Sequence, residues 1–353
     1  MPFDFASPAG RRAWRAQLLA PIDEAKWERL TRELFAWQFA RMPAYRRICE
    51  AHSVTPKNLG SWREIPAGPQ QLFKREKLFA HSSARPGAIY ETSGTTTGEP
   101  GRQHLLFPDI YRDVSVEGAR RAGLFQRHVQ FHFLTPSPAE APRSSLSAMF
   151  GFWPKAAKQS GNRFWIKRGK FDLPRLRGVL AEQVKKGQAV AICGTAYSFV
   201  HLLDAWADLP LALPPGSWLL ETGGFKGRSR EISQIELYAE LSRTFAVGRD
   251  AIWNEYGMTE LSSQAYARGV GGRHQTPPWA RVLICDPVSG KEVPPDRRGI
   301  VRWIDLANVD SVLAVQTLDL AERKADGFRL LGRMARTEPR GCSLGIEDLL
   351  SVK

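Results

Sequence analysis

The sequence predicts an α/β fold in which mixed and parallel sheets are flanked by helices, with a smaller β-rich piece towards the end. Three observations predict it. Short apolar runs, among them "QFHFLTP" (130–136), "GQAVAICG" (187–194) and "GSWLLETGG" (216–224), alternate with segments of helical periodicity. Glycine-containing loops follow such runs at "TSGTTTGEP" (92–100), "ETGGFKG" (221–227) and "NEYGMTE" (254–260), where α/β proteins place ligands. The 353 residues, 43% hydrophobic and 24% charged, are enough for a sizeable core.

The elements follow in order. Residues 23–50 repeat apolar positions three and four apart behind an acidic start, which predicts a largely helical stretch with Trp27, Leu30, Leu34 and Trp37 as its core stripe. Pro43 ends or kinks it. "AIYETSGTTTGEPG" (88–101) runs from a short strand into a glycine loop. In "TAYSFVHLLDAWA" (195–207), Thr195 is placed to cap a helix that follows a buried strand. "SREISQIELYAELSRTFA" (229–246) puts Ile232, Ile235, Tyr238, Leu241 and Phe245 on one helical face, and "DAIWNEYGMTE" (250–260) returns to strand and loop. Beyond residue 280, "RVLICDPVSGKEVPPDRRGIVRWIDL" reads as two strands around a Gly/Pro-rich turn. The organisation expected is a helical segment over 1–80 packed on the core, an α/β core over 81–280, a β-rich subdomain over 281–332 and a short tail over 333–353.

The bulk numbers exclude several classes. A net charge of +14, from 50 basic and 36 acidic residues, favours anionic ligands. The basic residues are scattered in ones and twos, with no basic arm, zinc-finger spacing or RNA-binding signature, so no nucleic-acid partner is expected. No charge-poor apolar run reaches the about 18 residues of a membrane span, and the start lacks a signal-peptide layout. Cys49, Cys193, Cys285 and Cys342 are far apart and form no C-x-x-C pair, which argues against structural zinc or a disulfide scaffold. A cytoplasmic location is expected.

The loops carry the chemistry. Hydroxyls and glycines at 92–98 fit either a solvated turn or a wrapping of phosphate oxygens by N–H and O–H donors. The region has no Gly-Lys-Ser/Thr, so it is not a P-loop of the Walker type, and Arg102 is its nearest cation. In "NEYGMTE", Asn254 and Tyr256 offer an amide and a ring, Thr259 a hydroxyl and Glu260 a carboxylate, a set suited to a purine, a phosphate and magnesium. The competing reading is a loop with a structural tyrosine and a solvated glutamate.

"YETSGTTTGEPG" resembles the phosphate loop of the adenylate-forming enzymes, and "NEYGMTE" resembles their Tyr-Gly-x-Thr-Glu motif. "QTLDLAE" (316–322) resembles their ribose-binding segment, with Leu318 where glycine is usual, and "LLGRMARTEPRG" (330–341) resembles the Gly-Arg stretch before their mobile lid. "LTPSPAEAPRSSLSAMF", "GGFKGRSREIS" and "RGCSLGIEDLL" are similar to the acyl-protein synthetase branch, the fatty-acid-activating component of bacterial bioluminescence. The resemblance covers most of the chain, least of all the first 80 residues. It implies the large N-terminal domain of that fold, with ATP and Mg2+ as cofactors. ATP would be held by Thr92, Ser93, Gly94, Thr95, Thr96, Thr97, Gly98, Gly223, Gly224, Asn254, Tyr256 and Gly257, with Asp319 and Arg333 on the ribose or phosphate. Thr259 would fix an α-phosphate oxygen, and Glu260 with Thr96 would serve the metal. In the wider family, about a hundred further residues, the size of a small domain, follow the Gly-Arg stretch. They carry a catalytic lysine, so this sequence is expected to lack the lid or keep a vestige.

The resemblance further implies activation of a carboxylic acid, a fatty acid, as the acyl-adenylate, then transfer to a thiol. Cys342 is the candidate acceptor: Arg340 lies two residues away, Gly341 and Gly345 flank it, and the related branch carries its acyl-accepting cysteine in a similar setting. A buried small residue is its alternative reading, and Cys193 in its apolar run reads as core. His132 stands either beside an acyl pocket or as a satisfied structural group, and Trp153 and Trp165 either line a tunnel or pack the core. An acyl reductase or other acyl-acceptor protein is the expected partner. An acyl-CoA or aryl-CoA ligase of the phenylacetate-CoA ligase type and a non-catalytic nucleotide-binding subunit are the rival readings.

Overall fold

The computed structural model describes residues 3–81, 83–92, 99–125, 129–159, 163–207, 209–223 and 232–334. They divide into two compact units that are not contiguous in sequence: 1–117, 258–263 and 275–353 form the first, and 118–257 with 264–274 the second. The helical segment expected over 1–80 and the β-rich one expected over 281–332 both fall in the first unit.

The first unit opens with α1 (Pro8–Leu19), α2 (Glu24–Arg41) and α3 (Pro43–Ala51). Ser7 and Asp23 cap the first two, each accepting from a backbone N–H three residues on. Met42 is extended between α2 and α3, and Pro43 begins α3, where its missing N–H costs no hydrogen bond. The predicted stripe holds for Trp27, Leu30 and Leu34, which are buried. Trp37 is only half-buried, with the Arg41 guanidinium 3.4 Å above its ring. Then come β1 (Gly68–Pro69), the one-turn α4 (Leu72–Arg75), and β2 (Ala88–Glu91) paired antiparallel with β3 (Arg102–Leu105). The glycine loop therefore joins the two strands of a hairpin. Helix α5 (Asp109–Arg121) follows.

The second unit contains β4 (Gln130–Pro136), α6 (Ser145–Ala156), β5 (Phe164–Lys167), β6 (Lys170–Phe171), α7 (Leu173–Lys185), β7 (Val190–Thr195), α8 (Ala196–Ala205), β8 (Trp218–Thr222), α9 (Gln234–Phe245), β9 (Ile252–Tyr256) and β10 (Ala265–Arg268). Its sheet has the order β10-β9-β8-β7-β4-β5-β6; β9, β8, β7, β4 and β5 run parallel, and the two edge strands are antiparallel. Strand alternation sorts the side chains by face. Leu134, Ile192, Leu219 and Ile252 pack with α7, α8 and α9 in one cluster. Phe131 and Phe133 meet the aromatic rings of Phe150 and Trp153 on α6. Gly194 has no room for a side chain, since a Cβ there would lie 2.7 Å from both Leu134 Cβ and Ser198 Oγ. Thr195 caps α8 as expected, its hydroxyl accepting from Ser198 N–H at 3.0 Å.

One helical face is corrected. Helix α9 starts at Gln234 behind a capping box of Ser233 and Glu236, so Ile232 precedes it and Ile235 is 58% exposed. The buried face is Leu237, Tyr238, Leu241 and Phe245.

The chain re-enters the first unit as β11 (Ala280–Cys285), β12 (Arg298–Asp305), β13 (Ala314–Lys324) and β14 (Gly327–Arg333). β11, β12 and β13 are antiparallel neighbours; β13 also pairs with β1, parallel, and further along with β14. The turn after β12 lies at the centre of a buried polar network. Asp310 receives Arg11 at 2.6 Å and the Leu106 N–H at 3.1 Å, and His81 Nε2 lies 2.8 Å from it. Asp310→Ala would leave the fully buried Arg11 guanidinium short of its main counter-charge, and we expect a loss of about 3–5 kcal/mol in unfolding free energy, measured by urea denaturation.

Candidate active site

In the second unit, the parallel neighbours β8 and β9 carry Gly223, Tyr256 and Gly257 at their C-terminal ends, with Asn254 within β9 opposite Glu221 of β8. Gly223 leaves β8 in the left-handed conformation, φ +68°. Asn254 sits in a hydrogen-bonded cluster: its Nδ2 donates to Glu221 Oε1 at 2.5 Å, and His274 Nε2 lies 2.5 Å from its Oδ1. Glu221 also accepts from the Tyr238 hydroxyl at 3.1 Å and from Gln234 at 3.4 Å. Burial pushes the Glu221 carboxyl up to about 7, against the pull of these donors. Asn254 is thus oriented by partners within its own unit. Tyr256 is buried, with its ring edge-on to His274. A Cβ on Gly257 would meet the Glu255 carboxylate and crowd Gln264, so a side chain there would have to displace Glu255 from its place beside Thr222. Glu255 accepts from the Thr222 hydroxyl, and burial raises it to about 7 as well.

The first unit holds the charged part. Thr92 closes the foot of the glycine loop: its hydroxyl accepts from Gly101 N–H at 2.9 Å and its N–H donates to Gly101 O. The Thr259 hydroxyl donates to Glu91 O at 3.4 Å, bringing the Thr-Glu pair to the end of β2. Glu260 is buried, and desolvation lifts its carboxyl to about 7 while Arg333 and Lys74 pull it down and Asp319 pushes it up. Asp319 and Arg333 face each other across β13 and β14 as an ion pair at 3.8 Å. A carboxylate held out of water, with a threonine hydroxyl beside it in sequence, supplies hard oxygen donors of the kind Mg2+ takes when substrate phosphates and water complete its shell. Among the described residues no cluster of three metal-binding side chains exists.

Thr92, Thr259, Glu260, Asp319 and Arg333 thus lie in one unit and Gly223, Asn254, Tyr256 and Gly257 in the other. Ser93, Gly94, Thr95, Thr96, Thr97, Gly98, Gly224 and Cys342 lie outside the described residues. Arg102 pairs with Glu91 and Glu99. His132 is structural: fully buried, it contacts Gln183 Oε1 at 2.7 Å, accepts from Trp165 Nε1 at 3.1 Å, and is depressed by desolvation to about 3. Trp153, Trp165 and Cys193 are buried, and desolvation raises the Cys193 thiol well above its usual range. Sequence reasoning missed Lys74, whose stem lies beside the Gly101 end of the loop and whose charge acts on Glu260. It missed Glu221 and His274 too; a glutamate inside the apolar run "WLLET" was the available signal.

The fold is that of the large domain of adenylate-forming ligases. A 2-hydroxyisobutyryl-CoA ligase, crystallised in an open conformation with 2-HIB-AMP and CoA, superposes with a TM-score of 0.65 at 16% identity, over 95% of this chain and 77% of that one. ATP-bound MatB from Rhodopseudomonas palustris gives 0.52 at 18% identity over 70% and 48% of the two chains. McyG A-PCP, complexed with phenylalanyl-adenylate, gives 0.52 at 16% over 70% and 47%. In sequence, the chain is 20% identical over 344 residues to a long-chain-fatty-acid–luciferin-component ligase of Aliivibrio fischeri, covering 92% of this chain and 88% of that protein. No protein-family model matches it. Among the described residues no helix is long and apolar enough to cross a membrane.

The elevated Glu260 carboxyl has a consequence for stability. Its folded value of about 7 stands above the ordinary 4.5, so its contribution is fully present below pH 4.5 and is lost as pH rises through about 7. Glu260→Gln removes that loss. The variant is expected to be the more stable protein at pH 8 by on the order of 1–3 kcal/mol, with the advantage vanishing at pH 4.5, as read from urea melts at the two pH values.

Proposed function

We propose that this protein activates a carboxylic acid, of the fatty-acid class, with ATP as an acyl-adenylate and passes the acyl group to a thiol, making an acyl-protein thioester. The observation that carries the reading is the Thr259–Glu260 pair brought to the end of β2, with Asp319, Arg333 and Lys74 acting on the Glu260 carboxyl. The fold and the similarity, at 20% identity over 344 residues, to a long-chain-fatty-acid–luciferin-component ligase support it.

The substrate carboxylate attacks the α-phosphorus of ATP, the bond to the bridging oxygen breaks, and pyrophosphate leaves. Catalysis of such a step is alignment and neutralisation of charge. Thr259 holds an α-phosphate oxygen; Glu260, ionised, is the metal-holding carboxylate together with Thr96; Asp319 and Arg333 take the ribose and phosphate. Residues 92–98 of the first unit, and Gly223, Gly224, Asn254, Tyr256 and Gly257 of the second, are the further residues assigned to ATP by the resemblance. Mg2+, when bound, supplies charge compensation to the pyrophosphate. A thiolate, that of Cys342, then attacks the acyl carbon and AMP leaves with its electron pair on the phosphate oxygen. An acyl-reductase or another acyl-acceptor protein receives the acyl group. CoA is the competing acceptor, favoured by the CoA found with the 2-hydroxyisobutyryl-CoA ligase of like fold.

Two outcomes are expected. Carboxylate-dependent exchange of labelled pyrophosphate into ATP will occur with an acid from a panel of long-chain, medium-chain and aryl carboxylates. Glu260→Gln will lower it about a hundredfold or more while the circular dichroism stays that of the native protein. Failure of every acid to support exchange replaces this reading with a non-catalytic nucleotide-binding role. Secondly, Cys342→Ser will keep exchange but lose the hydroxylamine-labile label left by radioactive fatty acid and ATP, whereas Cys193→Ser will keep it. A Cys342→Ser protein that labels normally, or label discharged from the enzyme only by CoA, moves the acceptor elsewhere.

A further inference from the structure

Asn308 follows β12 and is 1% exposed, and every hydrogen-bonding position of its side-chain amide is used. Nδ2 donates to Glu260 O at 3.0 Å and to Val312 O at 3.1 Å. Oδ1 accepts from Ser262 N–H at 2.7 Å and from Gln103 Nε2 at 3.4 Å. Glu260 and Ser262 belong to the loop with the Thr-Glu pair; Gln103 belongs to β3, the strand that leaves the glycine loop and pairs with β2 at Tyr90. One buried amide therefore ties both segments together, all within the first unit. Asp305 fastens the same loop from the other side, accepting from Ser262 N–H at 3.1 Å, Ser263 N–H at 2.8 Å and Ser263 Oγ at 2.7 Å.

We infer that Asn308 is a positioning residue that holds the Thr259–Glu260 loop in register with the β2–β3 hairpin and so sets where the Glu260 carboxylate stands relative to the ends of those two strands. The inference rests on the adenylate-forming reading above. No other side chain of similar size does this: aspartate would face two carbonyl oxygens without a proton to offer, and leucine would take the bond from Glu260 O, Val312 O and Gln103 Nε2 and leave Ser262 N–H to Asp305 alone. Nothing in the role requires Asn308 to touch substrate.

The test uses the full chain and reads binding and local order as well as turnover. Asn308→Asp is expected to weaken Mn2+ binding in the presence of ATP, followed by electron paramagnetic resonance, by about tenfold, and to slow pyrophosphate exchange at saturating substrates about ten- to a hundredfold. Its deuterium uptake should rise in peptides spanning 258–263 and 101–105 but not in β7 or β8. Gln103→Leu, which cuts only the β3 side of the bridge, should move the same quantities in the same direction by less, and it decides the matter if Asn308→Asp does not fold. Gln183→Leu, which breaks the buried contact to His132, serves as the control: it should lower thermal stability without altering Mn2+ affinity. Wild-type Mn2+ affinity and unchanged 258–263 uptake in a folded Asn308→Asp or Gln103→Leu protein overturn the inference. Absence of exchange by the wild-type protein with every acid counts against the adenylation reading instead, and the deuterium readout still decides the role of Asn308.

Discussion

The first unit depends on a buried turn, residues 305–310, in which two carboxylates and one amide face inward. Asp305 collects the loop that carries Thr259 and Glu260, and Asp310 collects Arg11, His81 and the end of β3. The Trp14 indole donates to Leu306 O and Gln38 donates to Asn308 O, so α1 and α2 are fastened to the same few residues. A buried carboxylate is costly unless its oxygens are filled. Here they are filled from four stretches outside the turn, at Arg11, His81, Leu106 and Ser262–Ser263, so the cost of burial becomes a constraint on where those stretches lie. The remaining desolvation shows in Asp305, which burial raises to about 6 despite four donors.

The second unit uses a different principle. Its parallel strands are largely apolar on both faces, as strands covered by helices on either side must be, and the polar residues inside them, His132 and Asn254, are held by hydrogen bonds. Glu221 and Glu255, on adjacent strands, point to opposite faces and are both raised to about 7 by burial. Glu221 is answered by an amide, a phenol and a second amide, so it stays hydrogen-bonded in either protonation state.

Much of this was legible in the sequence because it is written in periodicity and caps. The parallel strands were visible as short apolar runs, and Thr195 before a helical pattern marked the start of α8 correctly. Ile235 was misplaced because the pattern was counted from Ile232, whereas the Ser233–Glu236 capping box fixes the start of α9 and its phase. Helix α7 was passed over although Asp172 and Pro174 carry a capping signal; its arginines diluted the apolar stripe. The Thr-Glu pair was singled out by its hydroxyl and carboxylate, and Asp319 and Arg333 only through the motifs they resemble; the structure adds their pairing across β13 and β14. Asn308 was not singled out, since its role lies entirely in partners distant in sequence. A polar residue in the apolar stretch "IDLANVDSVLAV" was the one mark it left.

The path of the chain adds something the local geometry does not. It leaves the first unit after residue 117, returns for 258–263, departs for 264–274 and returns again at 275. The short returning stretch carrying Thr259 and Glu260 is entered and left from the second unit, yet it takes its hydrogen bonds from the first. Its place is consequently set twice, by hydrogen bonds to the first unit and by covalent continuity with the second, in the manner of a stitch.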